Sequence, residues 1–127
     1  MQGLHLTADL SQCQCDSVWL TDATRLLNQC VQEVLRAGLQ PVNQLAHSFP
    51  ATEQGPGGVT ATVLLAESHL CVHTWPEQMG VTVDVYVCNF GADHSAKAQN
   101  LMDALIALFA PRQALRQALQ RGQSGAG

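Results

Sequence analysis

Charged residues are scarce in this chain. Asp, Glu, Lys and Arg make up 13% of its 127 residues, and cations are outnumbered by anions 6 to 10, for a net charge of −4. Without a basic excess there is no electrostatic footprint for nucleic acid, so that class of partner is excluded. No apolar run approaches the roughly 18 residues of a membrane span, which excludes a helical membrane protein. Met1-Gln2-Gly3-Leu4-His5 has neither the basic start nor the apolar core of a signal peptide, so a cytoplasmic location is expected. A paired cysteine framework is also missing: the five cysteines are an odd number and, without a secretion signal, read as reduced thiols. Cys13-Gln14-Cys15 has no matched second pair, so no metal is expected.

What is present is a chain of 46% hydrophobic content, long enough for one domain with a real core. Few charges leave apolar surface to hide, which points to oligomerisation. Residues 1–121 are expected to form that single domain and 122–127 a disordered tail. His5–Leu10 reads as an opening strand, followed by a polar Cys-containing turn. Leu26, Leu27, Cys30, Val31, Val34 and Leu35 then recur at helical spacing, with Gly38 as the stop. Residues 41–49 read as an extended segment, and Pro50–Gly58 as a loop. Val59–Ala66 and Leu70–Trp75 are strand candidates.

Val81, Val83, Val85 and Val87 alternate with Thr82, Asp84, Tyr86 and Cys88, which predicts a strand with one apolar and one mixed face. A second helix is predicted from an N-cap at Ser95, with Ala98, Leu101, Met102, Leu105, Ile106 and Phe109 as its stripe and Pro111 as its end. A polar helical turn or two is predicted over 112–121. The fold class is α+β: a two-layer sandwich with two main helices on one face of a largely antiparallel sheet. The other face, with Asp84, Tyr86 and Cys88, is a candidate site or interface.

The densest chemistry lies in Glu67-Ser68-His69-Leu70-Cys71-Val72-His73-Thr74-Trp75-Pro76-Glu77. This stretch sets a hydroxyl, two imidazoles and two carboxylates within an apolar strand region. A serine hydroxyl can attack the carbonyl that precedes it, turning amide into ester. Removal of the serine α-proton then splits the chain, and hydrolysis leaves a pyruvoyl ketone that acts as an electron sink through a Schiff base.

Ala66-Glu67-Ser68-His69-Leu70, then His73-Thr74-Trp75-Pro76-Glu77, then Asp84-Val85-Tyr86-Val87-Cys88, closely resembles the prokaryotic S-adenosylmethionine decarboxylases. Val59-Thr60 and Leu4-His5-Leu6 extend the match. The resemblance implies cleavage between Glu67 and Ser68 into 1–67 and 68–127, with Ser68 becoming the covalent pyruvoyl cofactor. It implies that His73 takes the α-proton in processing and that Cys88 protonates the product carbanion. Thr60 stands where the family has a serine that supports processing. Glu77 is similar to the carboxylate that holds the ribose hydroxyls, Phe49 to the aromatic residue that stacks on adenine, and His69 is a further candidate at the site.

The implied function is decarboxylation of S-adenosylmethionine, feeding aminopropyl groups into spermidine synthesis. Two alternatives stay open. One is a pyruvoyl decarboxylase of a basic amino acid such as ornithine or arginine; the other is a non-catalytic ligand-binding homologue. Positions five apart on a strand face opposite sides and lie roughly 16 Å apart. Ser68 and His73 of one chain therefore do not meet on a regular strand: either the strand is broken at Ser68, or His73 acts on Ser68 of a second subunit, which is the favoured reading. A homodimer, itself able to pair further, is expected to share its sites: Ser68 and Cys88 from one chain, Thr60, His73 and Glu77 from the other.

Overall fold

The computed structural model describes residues 1–122; the remainder of the expected tail lies outside the described residues. Six strands form one antiparallel sheet: β1 (Gly3–Cys13), β2 (Pro41–Ser48), β3 (Val59–Leu65), β4 (Ser68–Trp75), β5 (Gly80–Cys88) and β6 (Pro111–Arg121). Their spatial order is β2-β3-β4-β5-β1-β6. Helices α1 (Val18–Thr21), α2 (Ala23–Arg36) and α3 (Ser95–Phe109) cover one face, and a 3₁₀ turn (Pro76–Gln78) joins β4 to β5. The expected two-layer α+β architecture is what the chain adopts.

Strand alternation decides which side chains meet the helices. Leu4, Leu6, Ala8 and Leu10 of β1, Val59, Ala61, Val63 and Leu65 of β3, and the four valines of β5 are all buried. The residues between them are half-buried or exposed on the opposite, uncovered face. Gln12, at φ +53°, turns the end of β1 so that Cys13 rather than Gln12 goes inward. Phe109, Leu101, Met102 and Leu105 of α3 fill the core against this apolar face.

Each helix starts and stops for a local reason. Asp22 caps α2, its carboxylate accepting the Arg25 amide at 3.1 Å. Gly38, at φ +85°, follows the end of α2 in the left-handed region that glycine occupies without cost. The inward stripe of α2 is turned slightly from the expected one. Leu26, Cys30 and Val34 are buried as predicted, but Leu35 is 53% exposed and Glu33 is buried in its place. Glu33 tolerates this because Arg36 donates to its carboxylate at 2.7 Å and Gln29 at 3.2 Å. Ser95 is the first helical residue of α3 rather than its cap, and Asp93 accepts its amide at 2.9 Å.

The clearest correction concerns residues 112–121. Their Ala, Leu, Gln and Arg content favours helix, and a helical turn was the expectation. They instead form β6, paired with β1 from Gly3↔Arg121 to Cys13↔Pro111. Ala110, at φ +46°, ends α3 and sends the chain back along β1. Without β6 the outer edge of β1 would present a long row of unpaired backbone groups, and satisfying that ladder outweighs a weak local preference.

Two substitutions test this packing by urea unfolding. Phe109→Ala is expected to lose about 3–5 kcal/mol of stability. Leu35→Ala, on the outer side of α2, is expected to stay within about 0.5 kcal/mol. Similar losses from both would contradict the phase assigned to the helices.

Candidate active site

The hairpin between β3 and β4 is a two-residue turn, Ala66-Glu67, closed by the pair Leu65↔Ser68. Three bonds pin it from outside the hairpin. The Ala66 amide donates to the Gln40 carbonyl at 2.9 Å, and the Gln40 amide donates to Glu67 Oε1 at 3.2 Å. The third bond matters most chemically: the Cys88 amide donates to the Glu67 carbonyl oxygen at 2.7 Å. That carbonyl belongs to the Glu67–Ser68 peptide bond. Ser68 opens β4 opposite Val87, so Ser68 and Cys88 stand at neighbouring positions on adjacent strands.

A second group gathers at the far end of β4. His73 pairs with Thr60 across β3 and β4, and its Nδ1 lies 3.0 Å from the Thr60 hydroxyl oxygen. These two side chains, with Phe49, Trp75, Glu77 and the loop over 50–58, line a cavity of about 360 Å³. The loop is held close to the sheet. Thr74 is buried, accepting the Val59 amide at 2.9 Å and donating to the Leu20 carbonyl at 2.7 Å. A Cβ on Gly58 would collide with the Thr74 carbonyl oxygen, so only glycine allows this approach. Phe49 is oriented by His47, whose ring meets it edge-on with centroids 4.7 Å apart.

Within one chain, then, Thr60, His73, Glu77 and Phe49 come together, whereas Ser68 lies five residues along β4, roughly 16 Å from His73 by strand rise, with Cys88 beside it at the end of β5. His69 joins neither group. Its Nε2 lies 3.1 Å from Asp84 Oδ1, beside His5, on the uncovered face. Trp75 was not singled out from the sequence, although its odd-numbered position on β4 shares the face of His73. Its ring centroid lies 6.1 Å from that of His73.

Burial separates the five thiols. Cys13 and Cys30 are in the core. Burial pushes the Cys13 thiol up to about 11, with Cys15 adding to the effect. Burial pushes the Cys30 thiol up to about 12, with Glu33 adding to it. Neither can give or take a proton at neutral pH. Cys88 is only half-buried, and it sits on the mixed face of β5.

These elements define a class: a two-layer α+β chain whose central hairpin turn ends in a serine and is gripped by a neighbouring cysteine's amide. The sequence model of the family described as S-adenosylmethionine decarboxylase matches residues 4–122. The chain is 35% identical over 120 residues to the S-adenosylmethionine decarboxylase proenzyme of Aquifex aeolicus (strain VF5), covering 94% of this chain and 81% of that protein. It is 38% identical over 116 residues to the corresponding proenzyme of Parasynechococcus marenigrum (strain WH8102), covering 91% and 83%. The crystal structure of the adenosylmethionine decarboxylase from Aquifex aeolicus superposes with a TM-score of 0.80 at 33% identity, covering 98% of this chain and 94% of that one. The chain belongs to the S-adenosylmethionine decarboxylase family.

Because the thiolate is the reactive form, Cys13 and Cys30 are expected to stay unmodified by iodoacetamide in the folded chain at pH 8 and to react in urea. The same shifts set the direction of alkaline stability. Unfolded thiols ionise near 9 and the folded Cys13 near 11, so this contribution to stability is intact below pH 9 and is lost as pH rises towards 11. Rapid labelling of either residue in the native protein would contradict the burial described.

Proposed function

We propose that the chain is a proenzyme that cleaves itself between Glu67 and Ser68, and that the product decarboxylates S-adenosylmethionine. The decarboxylated product would supply aminopropyl groups for spermidine synthesis. The observation that carries this reading is the 2.7 Å bond from the Cys88 amide to the Glu67 carbonyl oxygen.

Self-cleavage begins when Ser68 Oγ attacks the Glu67 carbonyl carbon and negative charge develops on the carbonyl oxygen. The Cys88 amide already lies within the 2.7–3.1 Å range of an oxyanion donor. One such donor is worth about 10²–10³ in rate. Collapse of the adduct breaks the C–N bond, frees the Ser68 amine and leaves an ester. Loss of the Ser68 α-proton then breaks the Cβ–O bond and releases the Glu67 carboxylate. The dehydroalanine left at position 68 takes up water and loses ammonia to become the ketone.

The surroundings fit this product. β4 is flanked by β3 and β5, so a chain cut ahead of Ser68 keeps its new terminus paired between Leu65 and Val87. When present, the pyruvoyl ketone supplies an electron sink for the electron pair left by loss of carbon dioxide. Cys88 lies on the adjacent strand to return a proton. Glu77 offers two acceptor oxygens suited to a vicinal diol, and Phe49 offers an aromatic face in the same cavity. Thr60 holds the His73 ring at its Nδ1, and His69 directly follows Ser68 on β4.

The base for the α-proton is His73 of the partner subunit. This assignment follows from strand geometry, which separates Ser68 from its own chain's His73. The uncovered sheet face also suits pairing of two chains. Leu45, Leu64, Trp75, Leu115 and Leu119 all project from it and are 40–74% exposed, an apolar surface that association would remove from water. The enzyme is thus a homodimer with two shared sites. Among the described residues no helix is long and apolar enough to cross a membrane, and we place the protein in the cytoplasm.

Two measurements test the reading. Mixing Ser68→Ala chains with His73→Ala chains is expected to restore cleavage, and only in the His73→Ala chains. Intact chains in every mixture would refute the shared site. Fully processed protein is expected to release carbon dioxide from S-adenosylmethionine and not from ornithine or arginine. The opposite preference would overturn the substrate assignment.

A further inference from the structure

Tyr86 lies on the uncovered face of β5, between His5 of β1 and His69 of β4, both of which are its register partners. The two imidazole rings therefore flank one position from opposite sides, with centroids 6.2 Å apart. Asp84, two residues along on the same face, aims one oxygen into the gap. Its Oδ1 lies 3.3 Å from His5 Nε2 and 3.1 Å from His69 Nε2. Among the described residues this is the one set of three His, Cys, Asp or Glu side chains whose ligand atoms all fall within 4.8 Å of one another. In a single chain all three side chains are 22–36% exposed, and pairing through the uncovered face would enclose the gap between the two sheets.

We propose that His5, His69 and Asp84 form a site for one divalent transition-metal ion of the zinc class. The proposal shares His69 and the uncovered face with the decarboxylase reading, but it rests on the cluster geometry alone. A tetrahedral ion with bonds of about 2.0–2.2 Å holds its ligand atoms roughly 3.3–3.5 Å apart, and the two carboxylate–imidazole separations are already close to that spacing. Two imidazoles and one carboxylate suit zinc, cobalt or nickel, whereas magnesium and calcium demand more oxygen. Three protein ligands leave a further coordination position open. The set is spread over three strands, which is why cysteine and histidine spacing along the sequence did not suggest a metal.

One contact opposes the ion and makes the proposal sharper. Arg121 Nη1 lies 3.1 Å from His5 Nδ1, and a guanidinium can only donate. With Nδ1 accepting from Arg121, the neutral His5 ring carries its proton on Nε2 and donates it to Asp84. A metal at Nε2 moves that proton to Nδ1, and Arg121 must then withdraw. It can do so readily: it is exposed, ends β6 and already rests on the Tyr86 ring, 5.0 Å from the centroid. Metal-bound imidazoles usually donate their other N–H to an acceptor. Arg121→Glu would supply one.

Cobalt(II) is the probe, titrated into the full-length chain after chelator treatment and dialysis. The expected result is saturation at one ion per chain, with visible d–d bands, no thiolate charge-transfer band, and no competition from magnesium. His5→Ala and Asp84→Ala should each weaken binding by at least ~10-fold, and Arg121→Glu should tighten it by about 10-fold. The gain in the arginine variant does not depend on how well the alanine variants fold. Absence of binding at millimolar cobalt, a thiolate band, or an affinity unchanged by His5→Ala would each overturn the proposal and leave the three side chains as a hydrogen-bonded cluster.

Discussion

The grip of the Cys88 amide on the Glu67 carbonyl oxygen, at 2.7 Å, is the interaction on which the rest of the site depends. It exists because a two-residue hairpin turn places that carbonyl beyond the end of the β3–β4 ladder, where only the next strand can satisfy it. A buried or half-buried carbonyl needs a partner. Here the partner is also a donor aimed where charge would develop if Ser68 attacked. One bond thus completes the sheet and prepares the chemistry.

The sheet also dictates how the site is divided. Burial of the even positions of β4, Leu70, Val72 and Thr74, forces His69, Cys71, His73 and Trp75 onto the uncovered face. His73 is thereby held against Thr60 and the loop cavity at one end of the strand, and Ser68 is left at the other. On the proposed shared-site reading, a single chain carries two incomplete halves. Apolar side chains on the uncovered face supply a reason for a second copy to complete them. The helices contribute by burying the opposite face, which fixes the phase of every strand.

Much of this was legible in the sequence where one period governs one element. The valine alternation of 81–88 specified both faces of β5, and the stripe of α3 specified its buried side. Strand geometry alone indicated that Ser68 and His73 do not meet. What was hidden depends on contacts between distant segments. Residues 112–121 look helical because nothing in their own composition reveals the free edge of β1. Glu33 replaced Leu35 on the buried side because Arg36 pairs its charge and Gln29 donates a further hydrogen bond, a trade that a hydrophobic stripe cannot register. His69 turned to Asp84 and His5 for the same reason: their convergence is a property of the order β4-β5-β1, not of any local motif.

The central claim is that the backbone breaks ahead of Ser68 and leaves a ketone there. Intact-mass analysis of freshly purified protein, before and after borohydride reduction, tests this most directly. The account predicts two polypeptides, 1–67 and 68–127, the second lacking a free amino terminus and gaining two hydrogens on reduction. A single unbroken chain of 13.6 kDa, inert to borohydride, would contradict it.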